Sequence, residues 1–203
     1  MSTSILFRSS ALAAAFGVVM AVSLAVPAQA NEPFVLDETH ADVGFRVSHF
    51  GLSDTLGRFN DVEGVVLIDR DNPAGSSVDV TIATASLDTN HGKRDEHLRG
   101  GDFFNVAEHP TITFKSTSVE LTGTDTAKVT GDFTMLGVTK PVVLDVKLNA
   151  LMPHPLPQMN GREVAGFSAT TTIKRSEFGM DTFVPAIGDD VEVTLEVEAL
   201  KQQ

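Results

Sequence analysis

The 203-residue chain has no cysteine, no tryptophan and no tyrosine, and it carries only fifteen Lys and Arg against twenty-seven Asp and Glu. Without cysteine there is no disulfide, no thiolate metal site and no cysteine nucleophile, so stability has to come from burial alone. Without tryptophan and tyrosine the chain lacks the residues that form the interfacial girdles of a transmembrane barrel. The shortage of cations falls almost wholly on the segment after residue 30. That segment holds every acid and all the basic residues but Arg8, for a net charge of −13. Such a field repels nucleic acid and anionic membrane surfaces.

The N-terminus is of a different kind. One cation, Arg8, precedes an uninterrupted apolar run over residues 11–26, and Ala28 and Ala30 then occupy the small-residue positions of a cleavage site. This is the pattern of a secretory signal peptide. The run is shorter than the ~20 residues that a bilayer core requires. The expectation is cleavage after Ala30, export to the periplasm, no stable membrane insertion, and a mature domain over residues 31–203.

Beyond Phe34 the dominant signal is alternation with period two. In "VEVTLEVEAL", Val191, Val193, Leu195 and Val197 fall on one face while Glu192, Thr194, Glu196 and Glu198 fall on the other. The same pattern runs through "VGFRVSHF", "LGRFNDVEGVVLID", "VDVTIATASL", "TITFKSTSV", "VTGDFTML", "VVLDVKLNA" and "GFSATTTIK". Turn-rich pieces such as "DNPAGSS", "TGTD" and "AIGDD" separate these runs. The reading is about eight strands in an all-β antiparallel barrel or sandwich. Residues 90–105 interrupt the alternation, and their first part, "NHGKRDEHLRGG", ends in Gly100 and Gly101, which predicts a short helix between strands. "MPHPLPQMNG" is too rich in proline to continue a strand and reads as an exposed loop.

Phe103 and Phe104 are adjacent just after that helix, which a regular strand would send to opposite faces. If residues 102–105 form a turn or the tail of the helix, both rings can enter one cavity and pin the helix over an open barrel end. They then serve either as a hydrophobic anchor or as a ligand-facing pair.

Four segments, "LDETHADVGFRVSHFGLSDTLGRF", "GKRDEHLRGGDFFNVAEHPTITF", "GDFTMLGVTKPVVLDV" and "IKRSEFGM", resemble in order and spacing the signature segments of the YceI-like family. The resemblance spans nearly everything from Phe34 to Leu200. It departs from the family at Ala41 and Gly100, where serine is usual, and at Asn105, where aspartate is usual. It implies an eight-stranded up-and-down lipocalin-like barrel around an apolar channel that binds a polyisoprenoid. The ligand would be a polyprenyl quinone or a polyprenyl phosphate, held for transport or stress protection, with no catalytic cofactor. A barrel of this size leaves room for side chains or one slim ligand, and each buried CH₂ of a prenyl chain contributes roughly 0.8 kcal/mol.

The candidate lining residues are Phe45, Val47, Phe50, Leu52, Phe59, Phe103, Phe104, Phe114, Phe133, Met135, Phe167, Ile173, Phe178 and Met180, each serving either ordinary core packing or ligand contact. Arg46, Arg58 and Lys93 are the candidates for meeting a head group. Other lipophilic compounds could share such a slot, and the sequence is compatible with a homodimer. Two other function classes stand beside this one. An outer-membrane barrel would alternate in the same way with its apolar face outward. A secreted metalloenzyme could draw on His91, Asp95 and His97, but His91 and His97 lie six apart with Gly92 between them and do not share the usual ligand spacing. No serine sits in "GxSxG", and the acid pairs of "RDE" and "GDD" read as helix-end and turn residues, so no catalysis is expected.

Overall fold

The structure, a computed structural model, describes residues 31–203. The expected signal peptide, residues 1–30, lies outside the described residues. The alternating runs become strands: β1 (Glu32–His49), β2 (Ser53–Phe59), β3 (Val62–Ile68), β4 (Ser77–Ala83), β5 (Leu87–Asp88), β6 (Thr111–Leu121), β7 (Thr126–Met135), β8 (Val138–Pro153), β9 (Glu163–Lys174) and β10 (Ile187–Lys201). One helix, α1 (Gly92–Arg99), stands between β5 and β6.

These ten segments make eight staves. Along β1, residues Val43 to His49 pair with β2 and residues Glu32 to Val35 pair with β3, so β2 and β3 are halves of one stave bent at Asn60 and Asp61. Next to it, β4 pairs with β3 and β5 pairs with β2, and a 3₁₀ turn at Thr84–Ser86 interrupts that stave at the same level. From β6 to β10 each strand pairs antiparallel with the next, and β10 returns to β1 through contacts such as Val43 with Leu195 and Val47 with Val191. The result is a closed eight-stranded antiparallel barrel, as expected. Bulges in β1, β6 and β8 supply the local bends that closure needs.

Closure settles which face of the alternation is inside. Val191, Val193, Leu195 and Val197 line the interior, and their neighbours Glu192, Thr194 and Glu196 are exposed. Ion pairs cross the outer surface, Lys128 to Asp145 at 2.6 Å and Lys174 to Asp190 at 2.6 Å. Exposed pairs are screened by water, so they report orientation more than stability. Apolar-in and charged-out is the reverse of what a membrane-spanning barrel needs.

Two glycines let aromatic rings lie flat against the wall. A Cβ built on Gly57 would sit 2.2 Å from Cζ of Phe45, its cross-strand partner, and one on Gly131 would sit 2.4 Å from Cζ of Phe114. No side chain at either position could keep the ring where it is.

Candidate functional site

The barrel encloses a cavity of about 830 Å³, within the ~300–1,000 Å³ typical of small-molecule sites. It runs nearly the length of the staves. At one end its walls include Phe103, Phe104 and Leu98 from the α1 segment, with Phe50, Phe183 and Ile187 beside them. At the other end they include Ile68, Pro73, Leu121, Leu148 and Leu151. Between these ends, inward-facing Val, Leu and Ile of β3, β4, β7, β8 and β10, with Phe167, Ala169 and Ile173 of β9, make the wall almost wholly apolar.

Local sequence explains how α1 covers its end. His91 caps the helix, with Nδ1 accepting from the Arg94 amide at 3.3 Å. Buried Asp95 accepts from the Thr89 amide at 2.9 Å and from the Thr89 hydroxyl. Arg94 returns to Thr89 through Nε–H to Oγ1 at 2.7 Å and Nη2–H to the carbonyl at 2.6 Å. Arg99 donates to the Ala85 and Leu87 carbonyls. The chain then turns tightly: Phe104 N–H donates to Leu98 O at 2.9 Å, Asn105 N–H to Gly100 O at 2.9 Å, and Asn105 sits at φ 41°. Off a strand, both phenylalanines face inward. Phe104 meets Phe59 edge-on at 5.5 Å between centroids, and Phe103 meets His97 edge-on at 5.1 Å.

Asp95 holds this cover in place. Burial alone would raise its pKa, but the Thr89 hydrogen bonds and the nearby Arg99 and Arg94 outweigh it and leave the carboxyl below its ordinary value. A lowered folded-state pKa means that its stabilisation is present above the unfolded-state pKa and is lost as pH falls through the folded one. Asp95→Ala should therefore cost about 2–3 kcal/mol at neutral pH, since it orphans buried donors of Thr89. Urea unfolding at neutral pH and in acid should show the gap to the parent narrowing in acid. A gap that stays constant with pH would remove the carboxylate from this role.

Of the fourteen residues singled out by sequence, the cavity wall contains Phe45, Val47, Phe50, Phe59, Phe103 and Phe104, together with Phe114, Phe133, Met135, Phe167, Ile173 and Met180. Two are elsewhere. Leu52 follows the turn at Phe50 and Gly51, whose φ values of 54° and 66° end the alternation of β1, and it is 85% exposed. Phe178 lies in a 3₁₀ turn (Arg175–Phe178) behind the wall, edge-on to Phe133 at 5.3 Å and 2% exposed. None of the three head-group candidates lines the cavity. Arg46 alternates with Phe45 and Val47, so it points outward and pairs with Glu192 at 2.6 Å and Asp54 at 3.5 Å. Arg58 precedes inward Phe59 and is exposed on the outside, and Lys93 is exposed on the first turn of α1.

The ionisable groups that do line the cavity are different ones. Arg175 is 3% exposed and donates to four backbone carbonyls: Nε–H to Gly188 at 2.8 Å, Nη1–H to Met180 at 2.8 Å, and Nη2–H to Thr182 and Ile187 at 3.0 Å each. Burial draws its pKa down, and the charges of Asp189 and Asp181 act against that. Its sequence signal was present, because Ile173 faces inward and parity carries Arg175 to the same side. Arg94, His49 and His97 also line this end. At the opposite end the lining includes Asp69, Arg70 and Asp125. There Arg70 donates to Glu32 and Glu163 at 2.7 Å each, and Lys201 bridges the same two carboxylates at 2.8 and 2.9 Å.

The remaining histidines are spread out. His40 is outside the cavity with Asp37, 3.1 Å away, and His91 is the helix cap. Among the described residues no three His, Asp or Glu side chains converge as a metal-binding set.

Comparison with known proteins places this architecture. The UPF0312 protein of Ectopseudomonas mendocina (strain ymp) is 45% identical over 163 residues, covering 80% of this chain and 83% of that one. Among solved structures, the Campylobacter jejuni YCEI protein superposes with a TM-score of 0.68 at 32% identity, over 77% of this chain and 90% of that one. A domain from Saccharophagus degradans described as polyisoprenoid-binding shares the fold, with a TM-score of 0.59 at 17% identity over 83% of this chain and 98% of that one. Residues 34–199 match the YceI-like domain across almost all of the barrel, and the chain belongs to that family.

Proposed function

We propose that this protein is an exported, non-catalytic carrier that sequesters one long isoprenoid lipid, a polyprenyl quinone or polyprenyl phosphate, inside its barrel. The observation that carries this reading is the cavity itself, elongated, about 830 Å³ and walled by Val, Leu, Ile and Phe. A branched hydrocarbon chain gains roughly 0.8 kcal/mol for each CH₂ it takes out of water there and needs no polar partner along its length. The polyisoprenoid binding attributed to the Saccharophagus degradans domain of the same fold supports the choice of ligand class. The apolar segment before Ala30, with its small residues at the cleavage positions, supports export to the periplasm.

Purification from a bacterial periplasm without detergent, followed by solvent extraction and mass spectrometry of the extract, tests this reading. The expected result is a near-stoichiometric prenyl species. A stoichiometric lipid without isoprene units would leave a carrier of other lipophilic compounds. An empty extract from folded protein that also refuses added prenyl quinone would end the proposal.

A further inference from the structure

The two ends of the channel differ in charge. At the α1 end the ionisable lining residues are Arg94, Arg175, His49 and His97, with no carboxylate among them. At the opposite end they are Asp69, Asp125 and Arg70, and Arg70 is already engaged by Glu32 and Glu163. Asp69 is also occupied, its Oδ1 accepting from the amides of Asp71 and Asn72 at 3.1 and 2.8 Å. A chain end rich in oxygen lone pairs therefore meets donors at one mouth and acids at the other.

Arg175 sharpens this difference. A guanidinium has five N–H donors. Four of them go to backbone carbonyls, which solvate the charge without neutralising it. No carboxylate pairs with Arg175 or Arg94 among the described residues. Asp189 and Asp181 oppose the desolvation of Arg175 without pairing with it, and the Asp189 oxygens accept from the Ser176 amide and hydroxyl at 2.9 Å each. A buried charge with no carboxylate in direct contact is costly, and an acceptor brought in by a ligand relieves that cost. Arg94 uses Nε and Nη2 on Thr89, which leaves Nη1 with both its hydrogens. The same end holds a cluster of aromatic rings, Phe45 tilted against Phe59 at 5.8 Å and Phe59 edge-on to Phe104 at 5.5 Å, which surrounds a ring-shaped head with apolar surface.

We infer that the channel is directional: the oxygen-bearing head group of the ligand sits at the α1 end, accepting hydrogen bonds from Arg94 and Arg175, and the hydrocarbon tail runs toward the Asp69 and Asp125 end. This inference rests on the carrier reading above. The shared chemistry it requires is an electron-rich oxygen, which either a quinone carbonyl or a phosphate supplies.

The test is photocrosslinking with a prenyl quinone and a prenyl phosphate of equal chain length, each carrying a diazirine on its head, followed by peptide mapping. Labels are expected in residues 91–104 and 175–187. Labels concentrated in residues 69–77 and 121–126, or divided equally between the ends, would overturn the orientation while leaving the carrier reading intact. Failure to retain either probe, or a head-less prenyl hydrocarbon, would overturn both. Preference between the two probes identifies the source of the oxygen, and either preference agrees with the inference. As a second arm, Arg94→Gln should weaken head-bearing ligands by roughly tenfold and leave the hydrocarbon unchanged. Equal loss for both, or no loss for either, would contradict the role given to Arg94.

Discussion

Replacing Ala169 with phenylalanine should lower the affinity for a prenyl ligand by two to three orders of magnitude and leave the barrel folded. Ala169 lies on β9 between Leu195 and Val146, all three lining the channel. A phenyl ring there occupies the space of about four methylenes of ligand, worth ~3 kcal/mol at ~0.8 kcal/mol each, and ~1.4 kcal/mol is tenfold in affinity. The same variant separates a channel from a packed core. In a core, the added ring forces strain of ~1–3 kcal/mol, whereas in a channel it enters space that the protein leaves to its ligand. The paired measurement is a ligand titration beside urea unfolding. Lost binding at unchanged stability is expected. Lost stability at unchanged binding would show that the ligand does not use this part of the barrel.

The second large effect is at Arg175. Arg175→Met removes the donor that gathers the carbonyls of Met180, Thr182, Ile187 and Gly188, and so unties the loop that carries Phe183 against Phe103 and His97. Stranding those acceptors should cost about 3–5 kcal/mol, visible as a fall in the urea midpoint. Arg175→Lys should recover little of this loss, because one ammonium with three donors cannot span carbonyls that a planar fork reaches from three nitrogens. Full recovery by lysine would mean that position-specific geometry is unimportant and that charge alone suffices.

Legibility in the sequence followed the physics of each signal. The strands were readable because one face of each is apolar and the other wet. The bend at Asn60 and Asp61 was not. "LGRFNDVEGVVLID" reads as one strand, and the partner exchange that divides it between β5 and β4 is a long-range property. Parity could have taken Arg46 and Arg58 off the head-group list, since each neighbours an inward phenylalanine and must face out. It could also have found Arg175, which continues the inward parity of Ile173 one residue past the end of β9. Leu52 was misplaced because positive φ at Phe50 and Gly51 ends the alternation, and only backbone geometry reveals that. The Phe103 and Phe104 pair posed its question in the sequence, and the turn closed by Leu98 and Gly100 carbonyls answers how both rings reach one chamber. The aliphatic wall from β7 to β10 was visible as alternation but not as a site, because Val and Leu look alike in a filled core and in a channel.

The most direct measurement is a native mass spectrum of the purified protein after incubation with excess prenyl quinone. The account predicts a single retained adduct of one ligand per chain, largely lost in the Ala169→Phe variant. A spectrum showing only the bare folded chain, or one in which the variant retains the ligand as well as the parent does, would contradict it.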